Sequence, residues 1–378
     1  MAAGIYIHIP FCKQKCLYCD FISSYGCDED MKLYKDALIN EIESTDIAET
    51  VDSVFFGGGT PSIFATEYIE EIMHLLVDKY RINLKKAEIT IEANPGTITY
   101  DKLFRYKKAG INRLSIGLQS ANDKELKILG RIHNYEMFLK SYEAARKAGF
   151  DNINIDLMSA IPTQTFESYT ETLSKIILLN PEHISAYSLI VEEGTPFYEK
   201  YSEDKEFYKE LPDEETDRKM YHYTKELLSK YDYKRYEISN YAKKGFECRH
   251  NIKYWSRDDY YGFGTAAASL VNNTRYTNIT DRNKYINFSF EKNKIRTDIQ
   301  EIEIQEQMEE YMILGLRKTQ GVSLDDFRMK FNINLEEVYG KKLEKLVRQN
   351  VCEYDDNYFR LTEYGLDVSN TVLVEFMN

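Results

Sequence analysis

Three cysteines near the amino terminus, Cys12, Cys16 and Cys19, follow one another in the pattern C-x3-C-x2-C. Thiolates at this spacing on a tight loop can converge on one soft metal centre. A structural zinc or a closed iron–sulfur cluster takes four protein ligands, whereas a reactive metal site keeps an open position. Three thiolates therefore predict a [4Fe–4S] cluster with one iron free for a substrate. The spacing differs from the C-x2-C-x2-C run of ferredoxins, which disfavours a simple electron carrier.

The hydrophobic pattern predicts the strands and helices that position this loop. Residues 5–9 are apolar and β-branched and are followed by Pro10, which predicts a strand directly before the loop. The pattern predicts further strands at 51–56, 87–93, 113–118, 152–158 and 183–190, and helices at 28–45, 68–80, 101–109, 135–148 and 166–179. Such alternation indicates parallel strands with helical crossovers, in a doubly wound sheet or a barrel. The arrangement of the motifs favours an α/β barrel, open because it has six units instead of eight.

Residues 196–378 lack the regular alternation of predicted strands and helices seen in the first 195 residues. Residues 196–300 are acidic, rich in tyrosine and less regular, with a helix predicted at 214–230. From residue 301, helices are predicted at 306–319, 324–330 and 338–350, and a β-hairpin at 351–361. Three helices and a hairpin indicate a small, mostly helical, winged-helix-like domain. The acidic composition favours a packing or substrate-covering appendage over a DNA-binding role for this domain. We therefore predict three units: residues 1–195, 196–300 and 301–378.

The composition of the chain argues against several classes of function. The 378 residues carry a net charge of −13, which argues against a general nucleic-acid binder. No apolar run reaches the length of a membrane span, and the first residues lack the basic region of a signal peptide. Half of the six cysteines lie in one loop, so they do not form a disulfide framework, and we interpret Cys27, Cys248 and Cys352 as buried thiols. We expect a cytoplasmic protein.

The remaining polar and glycine clusters fall at the carboxyl ends of the predicted strands, where parallel α/β folds bind ligands. The positions are the three cysteines, Gly57-Gly58-Gly59-Thr60, Glu92, Gln119 and Asp156. A triple glycine lets the backbone approach a ligand closely. A carboxylate such as Glu92 in an apolar strand is costly unless it is paired or bound. Because all of these residues fall at the carboxyl ends of the strands, we predict that they form one site at that end of the sheet. His8, just before the loop, is either a core residue or part of that site.

The cysteine loop within IYIHIPFC and YCDF resembles the signature of radical S-adenosylmethionine (SAM) enzymes, and in particular the oxygen-independent coproporphyrinogen III oxidase group. The resemblance implies a partial (β/α)6 barrel in which SAM chelates the fourth iron and is cleaved reductively to a 5′-deoxyadenosyl radical. It also implies an electron donor such as flavodoxin or ferredoxin. The SAM-binding residues that it implies are Tyr6, Tyr18, Gly58, Gly59, Thr60, Glu92, Gln119, Arg131 and Asp156.

Two departures separate this chain from the oxidases proper. They have a fourth cysteine where this chain has Phe21, and they have a longer segment before the loop. Residues 250–255, HNIKYW, resemble instead the HNxxYW motif of haem chaperones of the HemW type. An imidazole can ligate haem iron and aromatic rings can face a porphyrin, so the haem-binding candidates are His250, Asn251, Tyr254 and Trp255. Arg249, Lys253 and Arg257 are candidate partners for propionates. The alternative is an aromatic cluster that pins this segment to the barrel.

The resemblance thus implies a haem chaperone that binds the cluster, SAM and haem. It would deliver haem to acceptor haemoproteins, including membrane-associated respiratory enzymes reached through partners. The alternatives are oxygen-independent coproporphyrinogen III dehydrogenation, radical-mediated haem opening or methylation, and electron transfer by the cluster alone. The last would leave the GGGTP stretch, Glu92 and Asp156 without a role. We assign no catalytic residue and leave homodimerisation open.

Overall fold

A computed structural model of the chain describes residues 2–377. The strands are β1 (Ala3–Ile9), β2 (Val51–Gly58), β3 (Glu88–Ala93), β4 (Arg113–Gln119), β5 (Ile153–Ser159), β6 (His183–Ser188), β7 (Lys234–Arg235), β8 (Asn240–Ala242), β9 (Tyr260–Phe263), β10 (Ala268–Val271), β11 (Thr274–Asn278), β12 (Arg296–Glu301), β13 (Val322–Ser323), β14 (Cys352–Tyr354) and β15 (Tyr358–Leu361). The α-helices are α1 (Asp28–Ser44), α2 (Thr66–Tyr80), α3 (Tyr100–Lys108), α4 (Asp123–Ile128), α5 (Tyr135–Lys147), α6 (Phe166–Leu178), α7 (Pro196–Tyr201), α8 (Glu214–Ser229), α9 (Arg249–Trp255), α10 (Arg282–Phe288), α11 (Lys292–Ile295), α12 (Ile304–Gly315), α13 (Leu324–Phe331), α14 (Leu335–Arg348), α15 (Glu363–Asp367) and α16 (Ser369–Val374).

Strands β1 to β6 lie side by side in chain order, and every neighbouring pair is parallel. Helices cross over between them, so this part of the chain is the partial (β/α)6 barrel that the alternating pattern predicts. The predicted strand and helix ends here differ from the observed ends by at most two residues. Parallel strands need long crossovers, and the amphipathic helices provide them while they cover the outer face of the sheet.

The sheet continues on both sides of this barrel and contains twelve strands. Strand β9 pairs in parallel with β1, with Gly4 opposite Tyr260, and the antiparallel strands β10, β11 and β12 follow. At the other edge, β8 and β7 continue from β6. The expectation of irregular structure over residues 196–300 is therefore wrong for this extension. The predicted boundaries of the three units remain a prediction.

The main hydrophobic core lies between the barrel strands and the surrounding helices. Side chains alternate between the two faces of a strand, so Val54 and Phe56 point outward into this core. They meet the apolar stripe of α2, formed by residues such as Ile69 and Met73. The neighbouring residues on each strand face the inside of the barrel. The alternation therefore separates an outer face that provides stability from an inner face that can hold polar groups.

The carboxyl-terminal part has its own core. Helices α12, α13 and α14 pack with the three-stranded antiparallel sheet β13-β15-β14, which confirms the winged-helix-like arrangement. Met312, Phe327 and Phe359 are fully buried at its centre. Arg257 joins this part to the barrel through an ion pair with Glu310 at 2.8 Å. No helix within residues 2–377 has an apolar stretch long enough to cross a bilayer.

Candidate functional site

The cysteine loop leaves β1 at Pro10 and is fixed by backbone hydrogen bonds along its length. The Cys12 amide donates to the Ser24 carbonyl at 3.0 Å. The Leu17 amide donates to the Leu129 carbonyl at 3.1 Å, and the Leu17 carbonyl accepts from the Phe197 amide at 3.0 Å. Leu17 lies between two of the cysteines. The loop is therefore held by segments that are distant in sequence.

The glycines at the end of β2 pack closely against β1 and the start of this loop. A methyl group at Gly59 would lie 2.6 Å from the Phe11 carbonyl oxygen and 3.0 Å from that of Ile9. Gly58 has a φ of +105°, and a methyl group there would lie 2.6 Å from the His8 ring. Gly58 and Gly59 are thus required first by the close packing of the end of β2 against β1 and the start of the cysteine loop. The glycine motif alone does not reveal this packing requirement.

We expect Gly59→Ala to destabilise the folded chain by about 1–3 kcal/mol, because backbone atoms surround the position and cannot yield as a flexible side chain would. Gly340→Ala is the matched control: in helix α14 an added methyl meets no atom within 4 Å. That variant should gain up to about 1 kcal/mol. Urea unfolding of the cluster-free proteins measures both changes, and an equal effect of the two substitutions would contradict the packing argument.

The three cysteine thiols are partly exposed and open into a cavity of about 500 Å³ at the carboxyl ends of the barrel strands. The predicted site residues that line this cavity are Cys12, Cys16, Cys19, Tyr18, Gly58, Gly59, Thr60, Glu92, Gln119, Arg131 and Asp156. The structure thus brings together residues from four strands, β2 to β5, and from the loops near their carboxyl ends. Tyr6 does not line the cavity. Its ring lies inside the barrel beside the wall at Gly57, and its hydroxyl group is 3.1 Å from His8 Nδ1.

The thiols do not form a site for a single metal ion. Within residues 2–377, no three His, Cys, Asp or Glu side chains lie close enough together for that. Each cysteine of a cubane binds a different iron atom, so the ligands of a cluster need not converge on one point. The Cys12 sulfur lies 3.4 Å from Thr60 Oγ1, and the Arg131 guanidinium donates to the Cys16 sulfur at 3.3 Å. This donor set fits a cluster better than a mononuclear zinc ion.

Two carboxyl groups of the barrel interior reach the cavity. Burial, together with the charge of nearby Asp156, raises the pKa of Glu92 to about 8. Burial also raises the pKa of Asp156, although Asn154 Nδ2 donates to its carboxylate at 2.7 Å. Neither carboxylate has an ion-pair partner among the salt bridges of residues 2–377. A cationic ligand in the cavity would therefore be stabilised by both groups.

Gln119 and Arg131 also line the cavity. Gln119 has a φ of +74° at a bulge between β4 and β5, and its side-chain oxygen accepts from the Tyr187 hydroxyl at 2.9 Å. Arg131 donates to Asn94 Oδ1 at 2.7 Å and to the Gly117 carbonyl. The bulge redirects the Gln119 side chain into the cavity. Asn94, Ser115 and Tyr187 also line the cavity, although none of them was predicted as a site residue.

Helix α9, which carries the HNxxYW motif, lies at the opposite end of the barrel. His250 is 1% exposed, with Nδ1 at 3.0 Å from Ser53 Oγ and Nε2 at 2.8 Å from the Tyr254 hydroxyl. Burial lowers its pKa to about 3, so the ring is neutral at physiological pH. Asn251, Tyr254 and Trp255 are partly buried. Haem ligation by His250 would require at least one of its two hydrogen bonds to break, and the haem role of these residues stays a prediction.

Two cationic side chains near this helix form ion pairs, and the cysteine just before it is buried. Lys253 pairs with Asp52 at 2.8 Å, and Arg257 pairs with Glu310, so neither is a free partner for a propionate in this conformation. Cys248 is fully buried, and burial raises the pKa of its thiol to about 12. The expectation of a buried thiol also holds for Cys352. It is wrong for Cys27, which is exposed at the start of α1.

Comparison with known proteins agrees with this architecture. A model of the radical SAM superfamily matches residues 6–176, and a model of the HemN C-terminal domain matches residues 303–368. The chain is 34% identical to the heme chaperone HemW of Lactococcus lactis, over 98% of this chain and 96% of that protein. It is 36% identical to HemW of Bacillus subtilis, over 98% of each chain.

A solved structure shares the fold. The radical SAM enzyme coproporphyrinogen III oxidase (HemN) from Escherichia coli superposes with a TM-score of 0.86 at 22% identity, over 99% of this chain and 90% of that one. The open parallel barrel, its cysteine loop and its glycine turn are those of the radical SAM superfamily. Within that superfamily, the chain belongs to the family of the heme chaperone HemW.

Proposed function

We propose that this chain is a haem chaperone that binds a [4Fe–4S] cluster, SAM and haem, and that it passes haem to acceptor haemoproteins. The observation that carries the proposal is the single cavity where three partly exposed thiols meet Glu92 and Asp156. Full-length similarity to HemW proteins, named as heme chaperones, supports the haem function. The acceptors would include respiratory haemoproteins, met in the cytoplasm or at the membrane through a partner.

Cys12, Cys16 and Cys19 would hold the cluster as thiolates. The neighbouring groups suit this role, because Thr60 Oγ1 and the Arg131 guanidinium lie beside two of the sulfurs and favour negative charge there. A bound cluster supplies one electron at a time, which it would receive from a donor such as flavodoxin or ferredoxin. The protein contributes the positions of the thiolates and a cavity that limits access of water.

Glu92 and Asp156 would bind SAM, with Gln119, Arg131 and the glycine turn completing the pocket. SAM carries a positively charged sulfonium group, which the two carboxyl groups could face. The charge of the buried Arg113 acts on both, but it forms a salt bridge with neither among residues 2–377. Tyr18 would contribute to the wall beside the cluster, since it lines the cavity and its ring packs against Phe197. The site therefore fits a cationic ligand better than an anionic one.

The affinity for SAM should rise with pH. In the ligand-free cavity Glu92, with a pKa of about 8, is mostly protonated at pH 7, and binding a cation favours its ionised form. Binding then releases a proton, so the Kd should fall about tenfold per pH unit below pH 8 and level off above it. Isothermal titration calorimetry on anaerobically reconstituted protein between pH 6 and 9 measures this slope.

Glu92→Gln is the control for that experiment. It keeps the shape of the side chain but removes the titration, so any slope that remains comes from SAM itself or from Asp156. We expect the variant to bind SAM more weakly at pH 8 and with a shallower pH dependence. An identical slope in both proteins would show that Glu92 does not face the bound cation.

A reconstitution experiment tests the chaperone function. Purified protein loaded with its cluster should bind haem with a defined stoichiometry, give a Soret band and transfer the haem to an apo-haemoprotein. Incubation with SAM, reductant and coproporphyrinogen III tests the alternative, coproporphyrinogen III dehydrogenation, since formation of protoporphyrinogen would refute the chaperone assignment.

His250→Ala tests the haem ligand. A weaker Soret band supports His250 as a ligand, and unchanged binding removes it from the haem site.

A further inference from the structure

The inside of the barrel contains a row of stacked rings that joins its two ends. At the lower end, the His250 ring on α9 stacks on Phe55, with ring centroids 5.3 Å apart and planes 27° apart. Phe55 in turn stacks on Tyr6, at 6.3 Å and again at 27°. The row thus begins at the HNxxYW motif and rises along the inner faces of β2 and β1.

The upper end of this row touches the cysteine loop. His8 Nε2 lies 2.9 Å from the Ile22 carbonyl oxygen, three residues after Cys19. A carbonyl can only accept, so Nε2 donates, and Nδ1 is left to accept from the Tyr6 hydroxyl at 3.1 Å. Contacts and hydrogen bonds therefore run without interruption from His250 through Phe55, Tyr6 and His8 to the loop.

The barrel wall packs closely against this row on one side, while the Tyr6 and Phe55 rings remain partly exposed. An added methyl group at Gly4 would lie 3.2 Å from the His250 ring, one at Gly57 would lie 3.0 Å from the Tyr6 ring, and one at Gly58 would lie 2.6 Å from the His8 ring. Three glycines of β1 and β2 therefore face three of the four rings. On the side of this wall no gap separates the rings from the backbone, so a displacement of one ring there is passed to its neighbours.

Helix α9 also contacts the carboxyl-terminal part of the chain. Trp255, at its end, lies under the Arg317 guanidinium of the carboxyl-terminal part, which is 5.4 Å from the centre of the indole ring. The Lys318 ammonium donates to Ser256 Oγ at 3.0 Å. The helix is therefore in contact with the barrel interior on one side and with the winged-helix-like part on the other.

We propose that α9 positions the cysteine loop through the row His250–Phe55–Tyr6–His8, so that the HNxxYW motif acts as a support for the metal site. These four are positioning residues, and none of them binds the cluster. The inference rests on the proposed function only in taking the cysteine loop as the cluster-binding loop. It explains why a histidine with both nitrogens engaged lies 1% exposed inside the barrel.

Phe55→Leu tests the proposal, and Phe56→Leu is its matched control. The two positions are neighbours on β2, but Phe55 faces the row and Phe56 faces the outer core. In cluster-free protein, iodoacetamide labelling followed by peptide mass spectrometry gives the alkylation rate of Cys12, Cys16 and Cys19. The exposed Cys27 provides an internal reference in every sample.

We expect Phe55→Leu to change the labelling rates of the loop cysteines on the order of fivefold relative to Cys27, and Phe56→Leu to leave them unchanged. Tyr6→Phe, which removes only the hydroxyl group that reaches His8, should change them in the same direction by less. Equal rates in all four proteins, including wild type, would overturn the proposal, and so would an equal change in Phe55→Leu and Phe56→Leu. If Phe55→Leu fails to fold, Tyr6→Phe decides alone.

These measurements need neither haem nor SAM, so the proposal and the chaperone function can fail separately. A second readout follows the reconstituted protein: the change that SAM causes in the electron paramagnetic resonance spectrum of the reduced cluster should differ in Phe55→Leu and not in Phe56→Leu. Altered labelling with normal haem transfer would support the positioning role. Unaltered labelling in His250→Gln with lost haem binding would instead assign His250 as a direct ligand and contradict the proposal.

Discussion

Replacing any one of Cys12, Cys16 and Cys19 by serine should reduce bound iron after anaerobic reconstitution from about four atoms per chain to fewer than about one. The reason is the number of ligands: three thiolates are the full protein contribution, and serine is a far poorer ligand for iron at neutral pH. The visible absorbance of the cluster, and the spectral change that SAM causes in it, should both disappear. Iron and sulfide analysis of the purified variants measures the change.

Cys27→Ser is the control for this prediction. Cys27 lies in the same amino-terminal segment and is exposed to solvent. It is at the start of α1, however, and does not line the cavity. Its iron content should equal that of the wild type. Zinc in place of iron in the wild-type protein, or full iron content in a Cys16→Ser variant, would contradict the cluster assignment.

Arg131→Met should destabilise the cluster-free protein by about 2–4 kcal/mol. The guanidinium group joins three separate segments, because it donates to Cys16, Asn94 and the Gly117 carbonyl. Methionine retains most of the apolar stem but leaves Asn94 Oδ1 and the carbonyl oxygen without this donor. Urea unfolding gives the loss of free energy, and iron analysis should show weaker retention of the cluster.

Arg348→Met provides the comparison. Its side chain is 77% exposed and pairs with Glu344 within the same helix, so its removal should change stability by less than about 0.5 kcal/mol. A small effect at both positions would mean that the contacts of Arg131 are replaced by water. The cysteine loop would then be held by its backbone hydrogen bonds alone.

The barrel was predictable because its signals are local. Each predicted strand from residue 5 to residue 190 is a short apolar run, and each helix has an apolar stripe, so their order implies parallel pairing. The strands between residues 196 and 301 carry no such signal. β9 and β10 have four residues each, and β12 is almost wholly exposed, so they are strands because of their neighbours in the sheet.

The candidate site was predictable to the extent that its residues are unusual in their sequence surroundings. Glu92 and Asp156 interrupt apolar strands, and the cysteines and glycines form motifs. Tyr187 and Ser115 have no such mark, because what brings them to the cavity is the alternation of side chains inside a barrel. The burial of His250 was not predictable either, since it depends on a helix packing against the far end of the barrel.

The pairing of β1 with β9 has a consequence for the order of events during synthesis. β1 is an inner strand, and its second neighbour is more than 250 positions later in the chain, since Gly4 lies opposite Tyr260. While the ribosome is still translating the first two thirds of the message, the strand that leads into the cysteine loop has one open edge. The pairing that completes the strand before the cysteine loop can therefore form only after Phe263 has emerged from the exit tunnel.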